Sequence, residues 1–206
     1  MYKRQTHHIL VGGRNPQRVD RLVTALPSAA PFVVDLMDAD GTEASGRSVE
    51  ALDVLVHCAG ITPGTAGSLR VRWREVMEVN VIAVAHLTEI LLPLLRASGG
   101  LVLFINSGAG LRAMGDMGGY SASKFALTSF ADGLRESERG RVRVSSLHPG
   151  RVDTEMQRQL QRRLGRDYHA EDHLTPRAVA LAARAIVDAP PEAVWESVSI
   201  RPAGVG

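Results

Sequence analysis

LVLFINS (residues 101–107) is a mostly apolar run that ends in a serine, which is typical of a strand buried on both faces of a parallel sheet. Such a strand places Ser107 at the carboxyl edge of the sheet, where α/β proteins bind their ligands. YSASK (residues 120–124) follows thirteen residues after that serine and carries Tyr120 and Lys124 four residues apart, so one face of a helix holds both side chains. We therefore expect the serine, tyrosine and lysine to converge on one substrate oxygen.

The Tyr120 and Lys124 pair predicts a proton-transfer device. A free tyrosine has a pKa of about 10, and moving it roughly three units towards neutrality costs about 4 kcal/mol. One positive charge about 4 Å away supplies roughly that energy at an effective dielectric constant of about 20. We therefore expect the Lys124 ammonium to lower the pKa of the Tyr120 phenol. The alternative is an ordinary amphipathic helix with a half-buried tyrosine and a solvated lysine.

Six short apolar runs alternate with helical stretches, and this rhythm predicts a mostly parallel sheet with helices on both faces. The runs cover residues 8–12, 32–36, 52–56, 101–105, 142–147 and 194–200. Long apolar helical patterns cover residues 68–95 and 120–136. With 206 residues and 45% apolar content, the chain has enough material for the core of one domain.

Composition narrows the class of protein. We find no signal peptide and no apolar run near the ~20 residues of a membrane span, which predicts a cytoplasmic protein without a membrane partner. The formal charge is +2, and the arginines at 158–166 lack aromatic neighbours, so they indicate a solvated helix face rather than a nucleic-acid surface. The single cysteine, Cys58, predicts no disulfide and a buried apolar role. The seven histidines show no metal-binding spacing.

These motifs resemble those of the short-chain dehydrogenase/reductase family. FINSGAG and GGYSASKFAL are similar to the family's catalytic serine strand and active-site helix, and MEVNV (residues 77–81) is similar to the segment that carries its fourth catalytic position. In the family that asparagine interrupts a long helix and holds a water that links the lysine to solvent. The resemblance implies a three-layer, Rossmann-type, doubly wound parallel α/β sheet. It also implies that the catalytic residues are Asn80, Ser107, Tyr120 and Lys124.

Two further turns resemble cofactor-binding turns of the family. HPGRVDT (residues 148–154) is similar to the P-G-x-V-x-T turn that meets the nicotinamide carboxamide. LDVLVHCAG (residues 52–60) is similar to the fourth strand and the N-N-A-G turn, with a cysteine in place of the second asparagine. The resemblance thus implies cofactor contacts at Cys58, Ala59, Gly60, Asn80, Tyr120, Lys124, Pro149, Gly150, Val152 and Thr154.

The residues that follow the second and third strands of the family suggest which cofactor binds. Arg14 follows Gly13 with no acidic residue beside it, which favours the 2′-phosphate of NADP(H) over the free hydroxyl of NAD(H). Asp35 matches the adenine-contacting aspartate of the family and Leu36 follows it. A strand-end carboxylate without a ligand is the alternative at Asp35.

The front of the chain departs from the family pattern. Residues 8–14 and 17–26 resemble the family's second strand and third helix, and we find no T-G-x-x-x-G-x-G turn before them. We expect Met1–Gln5 to be adapter-derived, because GTG TAT AAG AGA CAG would encode them, and residues 6–206 to form one oxidoreductase domain without its first βα unit. A genuine basic N-terminus is the alternative. Losing about five apolar side chains at roughly 2 kcal/mol each would leave a weak fold and weak dinucleotide binding.

The resemblance implies hydride transfer between a nicotinamide and a carbonyl or secondary alcohol. Tyr120 would transfer the proton, and Arg112, Met114, Met117 and residues 155–173 would line the substrate pocket or its lid. The long helices at 68–95 and 120–136 would form a homodimer or homotetramer. The alternatives are an inactive fragment of such an enzyme, or a non-catalytic Rossmann-type protein that binds a dinucleotide or acts as a scaffold.

Overall fold

Six strands and seven α-helices alternate in the computed structural model, which describes residues 7–204. The proposed adapter segment, Met1–Gln5, lies outside this range. The strands are β1 (Ile9–Gly13), β2 (Ala29–Val33), β3 (Val54–His57), β4 (Leu101–Ile105), β5 (Arg143–Pro149) and β6 (Ser197–Ile200). The α-helices are α1 (Pro16–Thr24), α2 (Ala39–Arg47), α3 (Leu69–Met77), α4 (Ala83–Ser98), α5 (Gly118–Ser137), α6 (Glu155–Arg163) and α7 (Pro176–Val187).

Every strand pairing is parallel, which confirms the predicted α/β class. The strands form a four-stranded sheet in the order β3-β4-β5-β6 and a two-stranded sheet, β1-β2. The parallel strands fall into two sheets because β1 and β3 each pair on one side only within residues 7–204.

The four-stranded sheet has a core on each face, as the buried strand pattern of β4 predicts. Val102 and Phe104 pack with α4 and α5, whereas Leu101 and Leu103 pack with α7. These alternating residues of β4 are all at most 1% exposed. Because successive side chains of a strand point to opposite faces, this one apolar run contributes to both cores.

The two-stranded sheet is covered less completely. In β1, Ile9 is 41% exposed and Leu10 is 39% exposed. The helix α1 is capped by Asn15, whose side chain accepts a hydrogen bond from the Arg18 amide at 2.9 Å, and the helix buries Val19. Phe32 of β2 packs against the main core, and α2, which follows β2 in the chain, packs on α4.

A five-residue π-helical segment, Glu78–Ile82, joins α3 to α4. The predicted interruption of a long helix at Asn80 is therefore confirmed. The combined helix, Leu69–Ser98, includes an 18-residue window with a mean hydropathy of 1.6 and meets the length and apolarity of a membrane span, contrary to the sequence prediction. Its buried positions, including Leu87, Leu91 and Leu95, belong to the core beside β4, as in a core helix.

Two strand positions differ from the sequence prediction. β2 covers Ala29–Val33 rather than 32–36, and the chain turns at Asp35, whose carboxylate accepts the Met37 amide. β6 covers only Ser197–Ile200 of the predicted 194–200. Apolar content alone placed these strands, and it does not separate a strand from an apolar turn beside it.

Candidate active site

The four predicted catalytic residues come from three elements that meet at the carboxyl edge of the four-stranded sheet. Ser107 follows β4, Tyr120 and Lys124 lie in the first two turns of α5, and Asn80 is at the centre of the π-helical segment. A side-chain hydrogen bond links Ser107 to Tyr120. The Lys124 Nζ atom lies 5.8 Å from the centroid of the Tyr120 ring. The structure therefore brings the serine, tyrosine and lysine together.

Lys124 is buried in this site, with 4% of the residue exposed. Its Nζ atom donates a hydrogen bond to the Ile105 carbonyl at 3.4 Å. Burial lowers the pKa of Lys124 to about 8, and the nearby Cys58 opposes that shift. At neutral pH the lysine is therefore positively charged, although little solvent surrounds its ammonium group.

The expected lowering of the Tyr120 pKa was wrong for this structure. Burial raises the pKa of Tyr120, and the hydrogen bond with Ser107 only partly opposes that rise. The four-residue spacing correctly predicted that the side chains are neighbours, but it carried no information about how deeply the phenol is buried, and desolvation penalises the phenolate.

Asn80 connects the π-helical segment to the loop after β3 and to α5. It is fully buried, and its side chain accepts the Ile61 amide at 2.8 Å and donates to the Ile61 carbonyl at 2.9 Å. It also donates to the Ser123 hydroxyl at 3.0 Å, and that hydroxyl donates to the Tyr120 carbonyl at 2.7 Å. Ser123 therefore links the Asn80 side chain to the backbone of Tyr120.

Sequence reasoning missed Asn106 and Thr128, which hold β4 against α5. The Asn106 side chain donates to the Thr128 hydroxyl at 2.9 Å, and that hydroxyl lies 3.0 Å from the Lys124 carbonyl. A Cβ atom on Gly110 would lie 2.6 Å from the same carbonyl, so only glycine fits there. The signal for Asn106 was available, since a polar residue that follows a buried apolar strand needs a hydrogen-bond partner.

The predicted NADP(H) determinant lies at the ends of β1 and β2. Arg14 Nη1 is 4.0 Å from the Asp35 carboxylate, and both side chains are largely exposed. The prediction that no acidic residue lies near Arg14 was therefore wrong. Asp35 follows the neighbouring strand β2, so it is distant in the sequence but close in the fold. Leu36, the next predicted contact, is half-buried and packs on the main core.

The turn after β3 runs past the catalytic lysine. A Cβ atom on Gly60 would lie 3.3 Å from Asn80 Oδ1 and 3.7 Å from Lys124 Nζ, so the Gly60 backbone is beside both groups. Cys58 and Ala59 are exposed, which corrects the expectation of a buried cysteine. Along β3, Leu55 and His57 face the core and Val56 does not, so the alternation of the strand places Cys58 on the uncovered face.

The predicted nicotinamide turn follows β5. Pro149 is buried at the end of the strand, and the Gly150 amide donates to the Ile200 carbonyl of β6 at 2.8 Å. Val152 forms an isolated parallel bridge with Leu174. The Thr154 hydroxyl caps α6 by accepting the Gln157 amide at 3.3 Å. These residues lie at the same sheet edge as Ser107, as the motif predicted.

A cavity of about 490 Å³ lies between the loop after Ile61 and α6. It is lined by Thr62, Pro63, Gly64, Thr65, Gln159, Arg162 and Arg163. Arg163 closes one side by donating to the Pro63 carbonyl and, at 2.8 Å, to the Thr62 hydroxyl. The predicted lid segment thus contributes α6. Arg112 and Met114 are exposed and do not line this cavity, and Met117 is buried.

The chain belongs to the short-chain dehydrogenase family, whose model matches residues 1–165. An oxidoreductase of Escherichia coli is 28% identical over 171 residues, which are 75% of this chain and 68% of that protein. A benzil reductase of Saccharomyces cerevisiae is 33% identical over 111 residues, which are 52% of this chain but only 40% of the yeast protein. An alcohol dehydrogenase of Thermococcus sibiricus, solved with 5-hydroxy-NADP, aligns with a TM-score of 0.78 at 23% identity, covering 95% of this chain and 86% of that one.

The donor set fits part of a nicotinamide dinucleotide. Lys124 and Tyr120 offer polar groups at the edge of the four-stranded sheet, the glycine backbone at position 60 allows close approach, and Arg14 offers a cation at the end of β1. Within residues 7–204, no helix N-terminus follows β1 with the glycine spacing of a pyrophosphate turn, and no cluster of three His, Cys, Asp or Glu side chains could hold a metal ion.

Proposed function

We propose that this protein is a nicotinamide-dependent oxidoreductase that interconverts a small-molecule carbonyl compound and the corresponding secondary alcohol. The observation that carries the proposal is the group formed by the buried Lys124 with the partly buried Ser107 and Tyr120 at the carboxyl edge of the sheet, with Asn80 joined to it through Ser123. A binding or scaffold protein has no need to bury a lysine beside a tyrosine, because that burial costs stability.

Each side chain has a role in the proposed reaction. The nicotinamide, when bound, supplies or accepts the hydride. The Ser107 hydroxyl binds the substrate oxygen, and the Tyr120 phenol donates a proton to that oxygen or accepts one from it. Lys124 carries a positive charge beside the Tyr120 ring and can bind the nicotinamide ribose. Asn80 holds the loop at Ile61 and the start of α5 in register.

Tyr120→Phe tests the reaction. We expect it to lower kcat by 10²- to 10⁴-fold, the usual value of general acid/base catalysis, and to leave NADPH affinity within about threefold. The measurement is NADPH oxidation with benzil, chosen because a relative reduces it, together with a fluorescence titration of NADPH. Equal turnover by Tyr120→Phe, or no turnover by the parent chain, would contradict the proposal.

We further propose that NADP(H) is the preferred cofactor, because Arg14 supplies the cation that a 2′-phosphate needs. Arg14→Ala is expected to lower the preference for NADPH over NADH about tenfold, as expected for one charge-assisted hydrogen bond. Asp35→Asn removes the carboxylate 4.0 Å away and should raise that preference. Titrations of both cofactors check this prediction, and an unchanged ratio in Arg14→Ala would refute it.

The setting of the protein is also part of the proposal. We propose a cytoplasmic homodimer or homotetramer that acts on small molecules, with no nucleic-acid or membrane partner. Four apolar side chains support the oligomer, since they are 40% to 63% exposed on α3, the π-helical segment and α5. They are Leu69, Trp73, Ile82 and Phe125.

A further inference from the structure

His148 is a buried histidine at the active-site edge to which the proposed reaction gives no role. It is 0% exposed and lies in β5, directly before Pro149 and Gly150. Its strand is between β4, which leads to Ser107, and β6. A buried imidazole at this point is in position to connect the strand ends that carry the site.

The ring of His148 makes one hydrogen bond, and that bond is to the backbone of the catalytic serine. The Nδ1 atom lies 3.1 Å from the Ser107 carbonyl. A carbonyl oxygen only accepts hydrogen bonds, so Nδ1 carries the proton. The Nε2 atom is buried and has no hydrogen-bond partner in the described part of the chain. Burial lowers the pKa of His148, which keeps the ring neutral at pH 7.

The hydrogen bond between His148 and Ser107 extends the pairing of β4 and β5 past the last backbone hydrogen bond between the two strands. The pairing ends with the Asn106 amide, which donates to the Leu147 carbonyl at 2.8 Å. Ser107 is the next residue, and its carbonyl also accepts the Gly110 amide at 3.0 Å. The Gly110 bond is local to the turn, whereas the bond to the His148 ring ties this turn to the neighbouring strand.

Arg201 ties the same position to β6. Its Nη1 atom donates to the His148 carbonyl at 2.6 Å and to the Ile200 carbonyl at 2.9 Å. Its side chain packs on two glycines, because a Cβ atom on Gly108 or on Gly150 would lie 3.0 Å from an Arg201 atom. Hydrogen bonds thus join the ends of β4, β5 and β6: His148 bonds to Ser107, and Arg201 bonds to His148.

We propose that His148, braced by Arg201, is a positioning residue that fixes the Ser107 backbone so that its hydroxyl faces Tyr120. This inference rests on the proposed function, because the alignment serves the proton transfer at Tyr120. The Ser107 hydroxyl accepts the Ala109 amide at 3.1 Å and bonds to Tyr120, so a shift of its backbone alters both contacts. A misplacement of about 1 Å at a reacting group can lower a rate about 10²-fold.

Two amide substitutions at His148 test whether the residue positions Ser107 through its hydrogen bond or only fills space in the core. In His148→Asn the side-chain nitrogen can occupy the place of Nδ1, so the bond to Ser107 is kept. In His148→Gln the longer side chain carries its nitrogen towards the place of Nε2, where there is no acceptor within the described residues. With NADPH and benzil, we expect kcat of His148→Asn within about threefold of the parent and kcat of His148→Gln lower by about 10- to 10²-fold. KM and NADPH affinity should change less than kcat.

Melting temperatures of both variants show whether each one folds. Equal kcat values for two folded variants, or a rise in KM with kcat unchanged, would overturn the positioning role while leaving the proposed function intact. If His148→Gln does not fold, Arg201→Met replaces it, with a smaller loss of kcat expected because the His148 bond to Ser107 remains. An unchanged kcat in Arg201→Met would contradict the proposal that Arg201 holds His148 in place.

The tautomer of His148 provides a readout that needs no turnover. In a ¹⁵N-histidine spectrum of the whole chain, the signals lost in His148→Asn identify His148 among the seven histidines. We expect a protonated Nδ1 and an unprotonated Nε2 at pH 7. A proton on Nε2 would overturn the inference even in an active enzyme. If the expected tautomer is found but the chain has no turnover, the proposed function is contradicted. The bond between His148 and Ser107 then has no catalytic role either.

Discussion

Lys124 shows a conflict between stability and function at a single residue. Its ammonium is almost fully buried, and its pKa falls from 10.5 to about 8. A shift of that size corresponds to a folding cost of about 3 kcal/mol at neutral pH. The cost is present below pH 8, where both states are protonated, and disappears as the pH rises from 8 to 10.5.

Lys124→Met therefore should stabilise the chain while abolishing its chemistry. We expect the free energy of unfolding at pH 7 to rise by about 1–3 kcal/mol, the lost bond to the Ile105 carbonyl offsetting part of the gain. The advantage over the parent should shrink between pH 8 and 10.5. Urea titrations across this range check the prediction, with Arg139→Met, an exposed cation, as control. Lower stability of Lys124→Met at pH 7 would contradict it.

The sequence predicted which residues meet at the site better than it predicted their surroundings. Spacing within one helix indicated that Tyr120 and Lys124 are neighbours, and the strand pattern placed Ser107 at the sheet edge. The direction of the Tyr120 pKa was wrong, because burial arises from how α5 packs on β4. The Arg14 contact with Asp35 and the His148 contact with Ser107 join residues from different strands, which no local pattern encodes.

At the level of elements, α3, the π-helical segment and α5 present the apolar side chains that suggest an oligomer. Trp73 of α3 already packs on Gly119 of α5, where a Cβ atom would lie 3.1 Å from the indole nitrogen. The two helices are therefore in direct contact, and α5 also carries Phe125, which is 43% exposed. Exposed apolar clusters of this kind mark protein interfaces.

Phe125→Glu should weaken the proposed oligomer, since a carboxylate at an apolar contact must be desolvated without a partner. We expect a shift from dimer or tetramer towards monomer by at least tenfold in the dissociation constant, measured by sedimentation over a range of concentrations. Leu181→Glu on α7, where Leu181 is 61% exposed, is the matched control and should leave the mass unchanged. A parent chain that sediments as a monomer at about 100 μM would rule out this interface.

At the scale of the whole molecule, the two sheets differ in how firmly they are held. Four of the five residues of β4 are buried, whereas none of the five residues of β1 is. Segments with few buried apolar contacts open with a lower free energy than the core. The expectation of a weak fold, argued from the sequence, stays a prediction, and the structure indicates which part of the chain should be weakest.

Amide hydrogen exchange can measure that difference. We expect the amides of β1 and β2 to exchange at least tenfold faster than those of β4 and β5 under native conditions, because the two-stranded sheet can open while the four-stranded sheet remains folded. Peptides covering 9–33 and 101–149, followed by mass spectrometry, provide the comparison. Equal protection of both regions would show that the two sheets unfold as one unit.

The break between β1 and β3 also affects how the protein behaves in concentrated solution. Each of these strands presents a row of backbone amides and carbonyls on the side that lacks a strand partner within residues 7–204, and Ile9, Leu10 and Val56 are exposed beside them. An unprotected edge of this kind is a template for a strand from another molecule. Growth by strand addition has no natural end point, so we expect backbone pairing between copies, rather than the small net charge, to limit the solubility of this chain.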